Sequence, residues 1–376
     1  MHRSYHHAIW IILLLCGSLS AQPVPPIPGD SLLRAGIHHM YNYDRRQGKE
    51  LFQQVTERYP EHPAGPLLIG VADWMIVRGT HGVEASEETL LVRIDEAAKL
   101  CEPYVEAHPG DPYGWLLYGM SLGIQARVDL ARKHWVKAAV HGYSGIQKVK
   151  KAEELAPNLA DTKLAMGAFH YYVGMSGALL KTAARIIGLH GTREEGKAEL
   201  TRAANHGRYG HPEANSILMY IDGYLEDNVP AALARAESLT AVYSGSPYYW
   251  AMRGDFEYAV GDTTAGKASL DTLQKLIPGL DRFYQEEFGN KVTYLRGLQL
   301  FARDESRSAI DCLQVYLSNN VDEYDFHGIN ANLVIGRAYL QLGERHQAEQ
   351  YLDKVTSEDI PSRMRTEAKK VLQTLE

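Results

Sequence analysis

Residues 329–361 read INANLVIGRAYLQLGERHQAEQYLDKVTSEDIP, and the apolar spacing is that of two helices joined by a short turn. Gly336 and Ala348, twelve residues apart, are small, while Tyr339 and Leu352 are large. A small residue on each helix lets two helices cross closely, and the bulky pair fills the seam beside the crossing. One such unit cannot bury its apolar face alone, so it predicts neighbours of the same kind.

The neighbours are found by stepping back from Gly336. The same slot falls at Gly297, Gly254, Tyr220, Gly167, Gly119, Gly70 and Gly36, with spacings from the N-terminus of 34, 49, 48, 53, 34, 43 and 39. A glycine inside a helix costs about 1 kcal/mol against alanine unless packing requires it, so its recurrence is a packing signal. Second-helix seam positions carry Phe52, Cys101, Val149, Leu200, Leu270, Leu313 and Leu352. Prolines 60, 109, 157 and 278 close second helices, and Pro63, Pro112 and Pro247 open first helices, where a missing N–H is harmless. Apolar residues recur at three and four rather than at two, which excludes strands. The expected fold is an all-α solenoid of about eight helix pairs.

The insertions set the N-terminal half apart. Slot-to-slot distances within pairs two and three are 27 (Gly70 to Ala97) and 26 (Gly119 to Gly145), against 12 in pairs one and eight. The extra length predicts about two added turns per helix, roughly 10 Å of reach. Pair two is expected to spend part of it on a loop at Gly79–Ser86, and pair three to extend its helices through Leu130–Val140. Pair four carries an insert, Tyr171–Gly191, in which Leu179, Leu180, Ala183, Ile186 and Ile187 form an apolar stripe at helical spacing. That stripe reads as a helix folded onto the solenoid, with membrane contact through 174–189 as the lesser reading.

Residues 1–22 read as an export signal: Arg3, the apolar run Ala8–Cys16, and small residues at Ser18–Ala21. The run is too short to span a bilayer. Leu15 ahead of Cys16 argues against lipid attachment there. A proline-rich spacer (23–29) leads into N-terminal repeats (30–215) and C-terminal repeats (216–376), and the expected location is periplasmic or secreted. Cys101 and Cys312 lie five repeats apart and are expected to stay unpaired. The net charge of −7 argues against a nucleic-acid partner.

Motifs for chemistry fail on inspection. Gly261–Ala268 (GDTTAGKA) nearly matches a phosphate loop, but Ala268 replaces the hydroxyl that would hold magnesium and no strand precedes it. No Cys-x-x-Cys is present, His-x-x-x-His occurs only at His2–His6 within residues 1–22, and the one G-x-S-x-G match, Gly119–Gly123 (GMSLG), lies inside a helical stretch with no strand before it. No catalytic residue, metal or cofactor is expected. One cluster in pair four, His170, Tyr171, Tyr172, His206 and His211 with His190 nearby, is the alternative place for a small-ligand or metal site.

Gly336, Tyr339, Ala348 and Leu352, with Trp250, Gly254, Leu270 and Pro278, resemble the tetratricopeptide repeat (TPR) family, and the likeness runs over nearly all of residues 30–376. Met166–Ala214 is also similar to a group of exported bacterial repeat proteins. The resemblance implies a right-handed TPR-type α-solenoid, a non-enzymatic scaffold that binds a protein segment along its concave face. Its fixed first-helix positions hold Trp74, Tyr113, Tyr171, Tyr172, Tyr248, Asp255, Tyr258, Lys291, Tyr294, Asn330 and Arg337. Tyr220 departs from the glycine slot, and no basic cluster stands ready to grip a C-terminal carboxylate.

Overall fold

The computed structural model describes residues 24–175, 190–319, 326–357 and 361–375. Among them stand seventeen α-helices and no strand. Sixteen form eight antiparallel pairs: α1 (Asp30–Tyr41) with α2 (Arg45–Arg58), α3 (Ala64–His81) with α4 (Val83–Ala107), α5 (Pro112–Ala131) with α6 (Trp135–Leu155), and α7 (Thr162–Met175) with α8 (Arg193–His206). The second half continues with α9 (His211–Tyr220) and α10 (Val229–Val242), α11 (Pro247–Ala259) and α12 (Thr263–Leu276), α13 (Arg282–Phe301) and α14 (Ser306–Asn319), and α15 (Phe326–Gln341) and α16 (Arg345–Ser357). A single helix, α17 (Arg363–Gln373), caps the end. The chain is an all-α, TPR-like solenoid. Residues 1–22 and the apolar stripe at 179–187 lie outside the described residues.

Six of the eight pairs share one turn geometry. First helices end on a residue in the left-handed region, at Tyr43, Lys133, Asp227, Gly261, Asp304 and Gly343. The next N–H then bonds back to a carbonyl five residues earlier: Asp44 to His39 (2.9 Å), Asp262 to Glu257 (2.9 Å), Glu344 to Tyr339 (2.9 Å). That is a Schellman closure, which satisfies carbonyls the helix end leaves open. Gly261 and Asp262 are this turn and the following cap, whose carboxylate accepts from the Ala265 N–H (2.9 Å), so the phosphate-loop likeness is a helix junction.

The glycine slots do what the spacing requires. A Cβ on Gly336 would meet Leu352 at 2.8 Å, one on Gly119 the Gly145 carbonyl at 2.8 Å, and one on Gly167 the Gly196 carbonyl at 2.8 Å. Pair five differs. Its first helix ends in a π-helical turn, Ile221–Leu225, and Asn228 N–H reaches back six residues to Asp222 (2.8 Å). The extra residue rotates the helix end, so Gly223 rather than position 220 lies against Phe256 and Ala232. Tyr220 instead sets its ring on Tyr224 and Phe326.

Pairs two and three are long: α4 has 25 residues, α5 20 and α6 21. The expected Gly79–Ser86 loop shrinks to Gly82 alone, because helix resumes at Val83. Cys101 is buried and Cys312 partly so, both unpaired. Burial pushes the Cys101 thiol up to about 12.

The array does not stay open. Tyr284 of α13 lies on Gly79 of α3 and donates to the Met75 carbonyl (2.8 Å), while Arg78 pairs with Glu287 (3.2 Å). The buried Arg45 guanidinium sits 3.6 Å from the Tyr43 ring centroid and 4.1 Å from that of Tyr284. Pairs one and two thus clasp pair seven. At the other end, Arg363 of α17 donates to the Gly223 carbonyl (3.3 Å), carrying the cap back to pair five.

Candidate functional site: a chamber on a closed inner face

Inside the curl, first helices α1, α3 and α5, with the starts of α7 and α9, line a cavity of about 490 Å³. That is the size of a small-molecule or side-chain pocket. The local sequence explains it. Asp111 caps α5 by accepting from the Tyr113 N–H (2.9 Å), and Pro112 fixes the first turn. From that start Tyr113, Leu116, Leu117, Met120 and Ile124 recur at three, four and seven and line the cavity. Burial alone would raise the Asp111 carboxyl, but the His62 imidazole 3.8 Å away and hydrogen bonds from Tyr104 and the Tyr113 and Gly114 N–H groups hold it below its ordinary value. From α3 come Leu67, Leu68, Val71, Trp74 and Met75, and from α1 Leu33, Ile37 and Met40.

One end of the chamber is a polar tie. Buried Asp161 accepts from the N–H groups of Arg208 (3.0 Å), Tyr209 (2.8 Å) and Gly210 (2.8 Å) and from the Tyr113 hydroxyl (3.2 Å). The Tyr209 hydroxyl accepts from the Ile27 N–H (3.0 Å) and donates to Asp30 (2.8 Å), which Arg208 grips through two nitrogens (2.6 and 2.7 Å). The Arg208 guanidinium holds the Asp30 carboxyl down at about 2, against the effect of burial. At the rim Glu213 accepts from the Tyr41 hydroxyl (2.7 Å), and the exposed Arg127 stands 5.7 Å from the Trp74 ring. Arg127 has no carboxylate partner among the described residues.

The inner face of pairs five to eight is filled by its own side chains. Asp255 is fully buried and accepts from the Tyr224 hydroxyl (2.7 Å) and the Tyr294 hydroxyl. Asn330 donates to the Tyr294 oxygen (2.6 Å), and His327 Nε2 shares a hydrogen bond with Tyr224 (2.9 Å). Burial drives both tyrosines well above the ordinary phenol value. Phe326 stacks on Tyr224 with centroids 5.3 Å apart.

The eleven concave positions therefore separate. Trp74 and Tyr113 line the chamber. Asp255, Tyr294 and Asn330 are buried together in the polar cluster, and Lys291 reaches Tyr316 close by (3.2 Å). Tyr171 is buried against Glu226 (3.1 Å) and Arg193, Tyr248 packs between two cores, and Tyr258 lies over Gly266 in its own pair. Tyr172 is exposed, and Arg337 is bound to Glu367 of α17 (2.7 Å). The pair-four histidines do not converge. His170 bonds Glu199 (2.6 Å), whose carboxyl stays low because the hydrogen bonds from His170 and Lys163 outweigh burial; His211 lines a separate small cavity with Arg34 and Arg208, and His190 and His206 are exposed. No group of three His, Cys, Asp or Glu side chains suited to a metal occurs among the described residues.

Sequence reasoning missed Arg127, Tyr209, Tyr224 and His327. One signal existed for the chamber: α5, PYGWLLYGMSLGIQ, is apolar on more than the face its partner covers.

Comparison with solved structures finds helical repeat proteins. The chain is similar to a human IFIT1 dimer with PPP-AAAA (12% identity, 84% of this chain and 68% of that one, TM-score 0.38) and to Cut9 of the APC/C hetero-tetramer Cut9-Hcn1 (12%, 92% and 76%, TM-score 0.40). It is also similar to yeast Tom70 (11%, 91% and 88%, TM-score 0.35). At such identity the likeness concerns fold and says nothing of ligands. No protein-family model matches the sequence, and no curated protein does.

Proposed function

We propose that the protein is a non-enzymatic binding scaffold of the cell envelope that takes a short apolar stretch of a partner protein into the chamber. The observation that carries this reading is the contrast between the two halves of the inner face. Pairs five to eight cover theirs with a hydrogen-bonded cluster of their own, whereas pairs one to four leave about 490 Å³ of apolar space. That volume holds a few large side chains, which favours a short anchor over an extended chain clasped along the whole array. The envelope location rests on the signal-like residues 1–22. A photo-reactive phenylalanine at position 120, in living cells, tests the proposal. The expected result is a protein crosslink recovered from the envelope fraction and abolished when Leu117→Trp fills the cavity. A folded protein that gives no protein crosslink, or one confined to the cytoplasm, overturns it.

Arg127 at the rim supports one second reading, a small amphipathic carboxylate with its tail in the chamber and its head at the guanidinium. Native mass spectrometry of the purified protein would then show a bound organic acid of a few hundred daltons, lost in Leu117→Trp.

A further inference from the structure

We infer that the tip of the third helix pair docks on anionic phospholipid surfaces. Helices α5 and α6, 20 and 21 residues long, outreach pairs one, six and eight, whose helices have 12 to 16. What the extra turns present to solvent is apolar. Leu130 is 51% exposed, Trp135 64%, Val136 79% and Val140 58%. Trp135, Val136, Val140 and Tyr143 fall within one arc of α6, since 3.6 residues per turn place positions 135, 136, 139, 140 and 143 on the same side. The stripe is about 12 Å long, enough to lie in the interfacial layer and far too short to cross a membrane.

The charge around it selects the surface. Residues 130–140, the tip itself, contain Arg132, Lys133 and Lys137 and no Asp or Glu, in a chain whose net charge is −7. Asp129, the acid next in sequence, is buried and tied to His141 (2.8 Å) and His134 (3.4 Å) under the turn. Those bonds pin the hairpin so that Lys133, in the left-handed region, and Arg132 stand at its apex. An exposed Trp with Val and Leu beside three cations is the chemistry of an interfacial anchor on acidic lipid. A purely apolar partner would leave Arg132, Lys133 and Lys137 unused. The acidic residues that open neighbouring α4, Glu84, Glu87 and Glu88, bias the docking face toward α6.

The test is co-sedimentation of the full chain with vesicles of phosphatidylcholine alone or with 30% phosphatidylglycerol. Each cation near an acidic surface changes affinity about fivefold, so Arg132→Glu/Lys133→Glu/Lys137→Glu is expected to lose roughly a hundredfold or more on the acidic vesicles. Trp135→Ala/Val136→Ala is expected to weaken binding to them, and the Trp fluorescence blue shift on binding should vanish in Trp135→Phe. The substituted side chains are exposed, so circular dichroism should match wild type. The apolar run at Ala8–Cys16 is common to every arm, and only differences between variants are read. Equal binding by wild type and charge variant, or no preference for acidic vesicles, overturns the inference. So does a dimer or a protein complex that the tip variants disrupt while vesicle binding is unchanged.

Discussion

Tyr284 donates its phenol to the main-chain carbonyl of Met75 across 2.8 Å, joining the seventh helix pair to the second over 209 residues of chain. Its ring covers Gly79, and Arg45 lies between that ring and Tyr43. The bond turns a ribbon of helix pairs into a closed curl, while the chamber itself is lined by pairs one to four and the start of pair five.

Truncating the ring should open the curl. Tyr284→Ala is expected to cost about 3 kcal/mol in chemical denaturation and to enlarge the radius of gyration in small-angle scattering. Tyr284→Phe keeps the ring and loses the hydrogen bond, at about 1 kcal/mol with no change of size. An unchanged radius for Tyr284→Ala would show that the curl closes without this residue.

The glycines of the close crossings make a second contrast. A Cβ at Gly196 would fall 2.6 Å from the Gly167 carbonyl and 2.7 Å from the Tyr171 Cα, both main chain of α7. Neither can yield without separating α7 from α8, so Gly196→Ala should destabilise by about 2 kcal/mol or more. Gly289, inside α13, has nothing within 4 Å of its added Cβ. There Gly289→Ala should stabilise by about 0.5–1 kcal/mol through helix propensity. Melting temperatures of the two variants should move in opposite directions.

These glycines also show what the chain made legible. Gly336, Gly297, Gly254, Gly167, Gly119, Gly70 and Gly36 mark local crossings, each set by residues close in sequence, and periodicity reports such contacts directly. Position 220 broke the series because one extra residue in the Ile221–Leu225 turn moves the work to Gly223, and periodicity carries no sign of a π turn. The clasp was invisible for another reason. Tyr284 and Gly79 are brought together by small rotations summed over five pairs, which no local pattern encodes. For the same reason Asp255, Tyr294 and Asn330 could be recognised as equivalent inner positions, while their shared burial required the curvature.

The buried cluster should matter for stability. Asp255→Ala removes the acceptor of two buried phenols and leaves Tyr224 and Tyr294 without it, so a loss of about 3 kcal/mol is expected. Tyr294→Phe, which removes one donor and a partner of Asn330, should cost about 1–2 kcal/mol. The same midpoint for both variants in urea would show that the cluster is not coupled to folding.

Asp30 provides a pH dependence with a definite sign. Its carboxyl is held at about 2 by Arg208, with help from Tyr209 and against burial, while the unfolded chain titrates near 3.8. The folded state therefore binds fewer protons between these values. The stabilisation is complete above about pH 4 and is lost as the pH falls toward 2. Arg208 is half-exposed, so screening cuts the effect to about 1 kcal/mol or less. Glu199 and Glu226 are also held low, by His170 and Lys163 and by Lys197 and Arg193 against burial, and they add their own acid sensitivity. The informative quantity is thus the stability of wild type minus that of Asp30→Asn. It should be constant from pH 7 to 4 and fall toward zero by pH 2. A difference that stays flat to pH 2 would mean that Arg208 leaves Asp30 in its ordinary range and that the tie beneath the chamber rests on Asp161 alone.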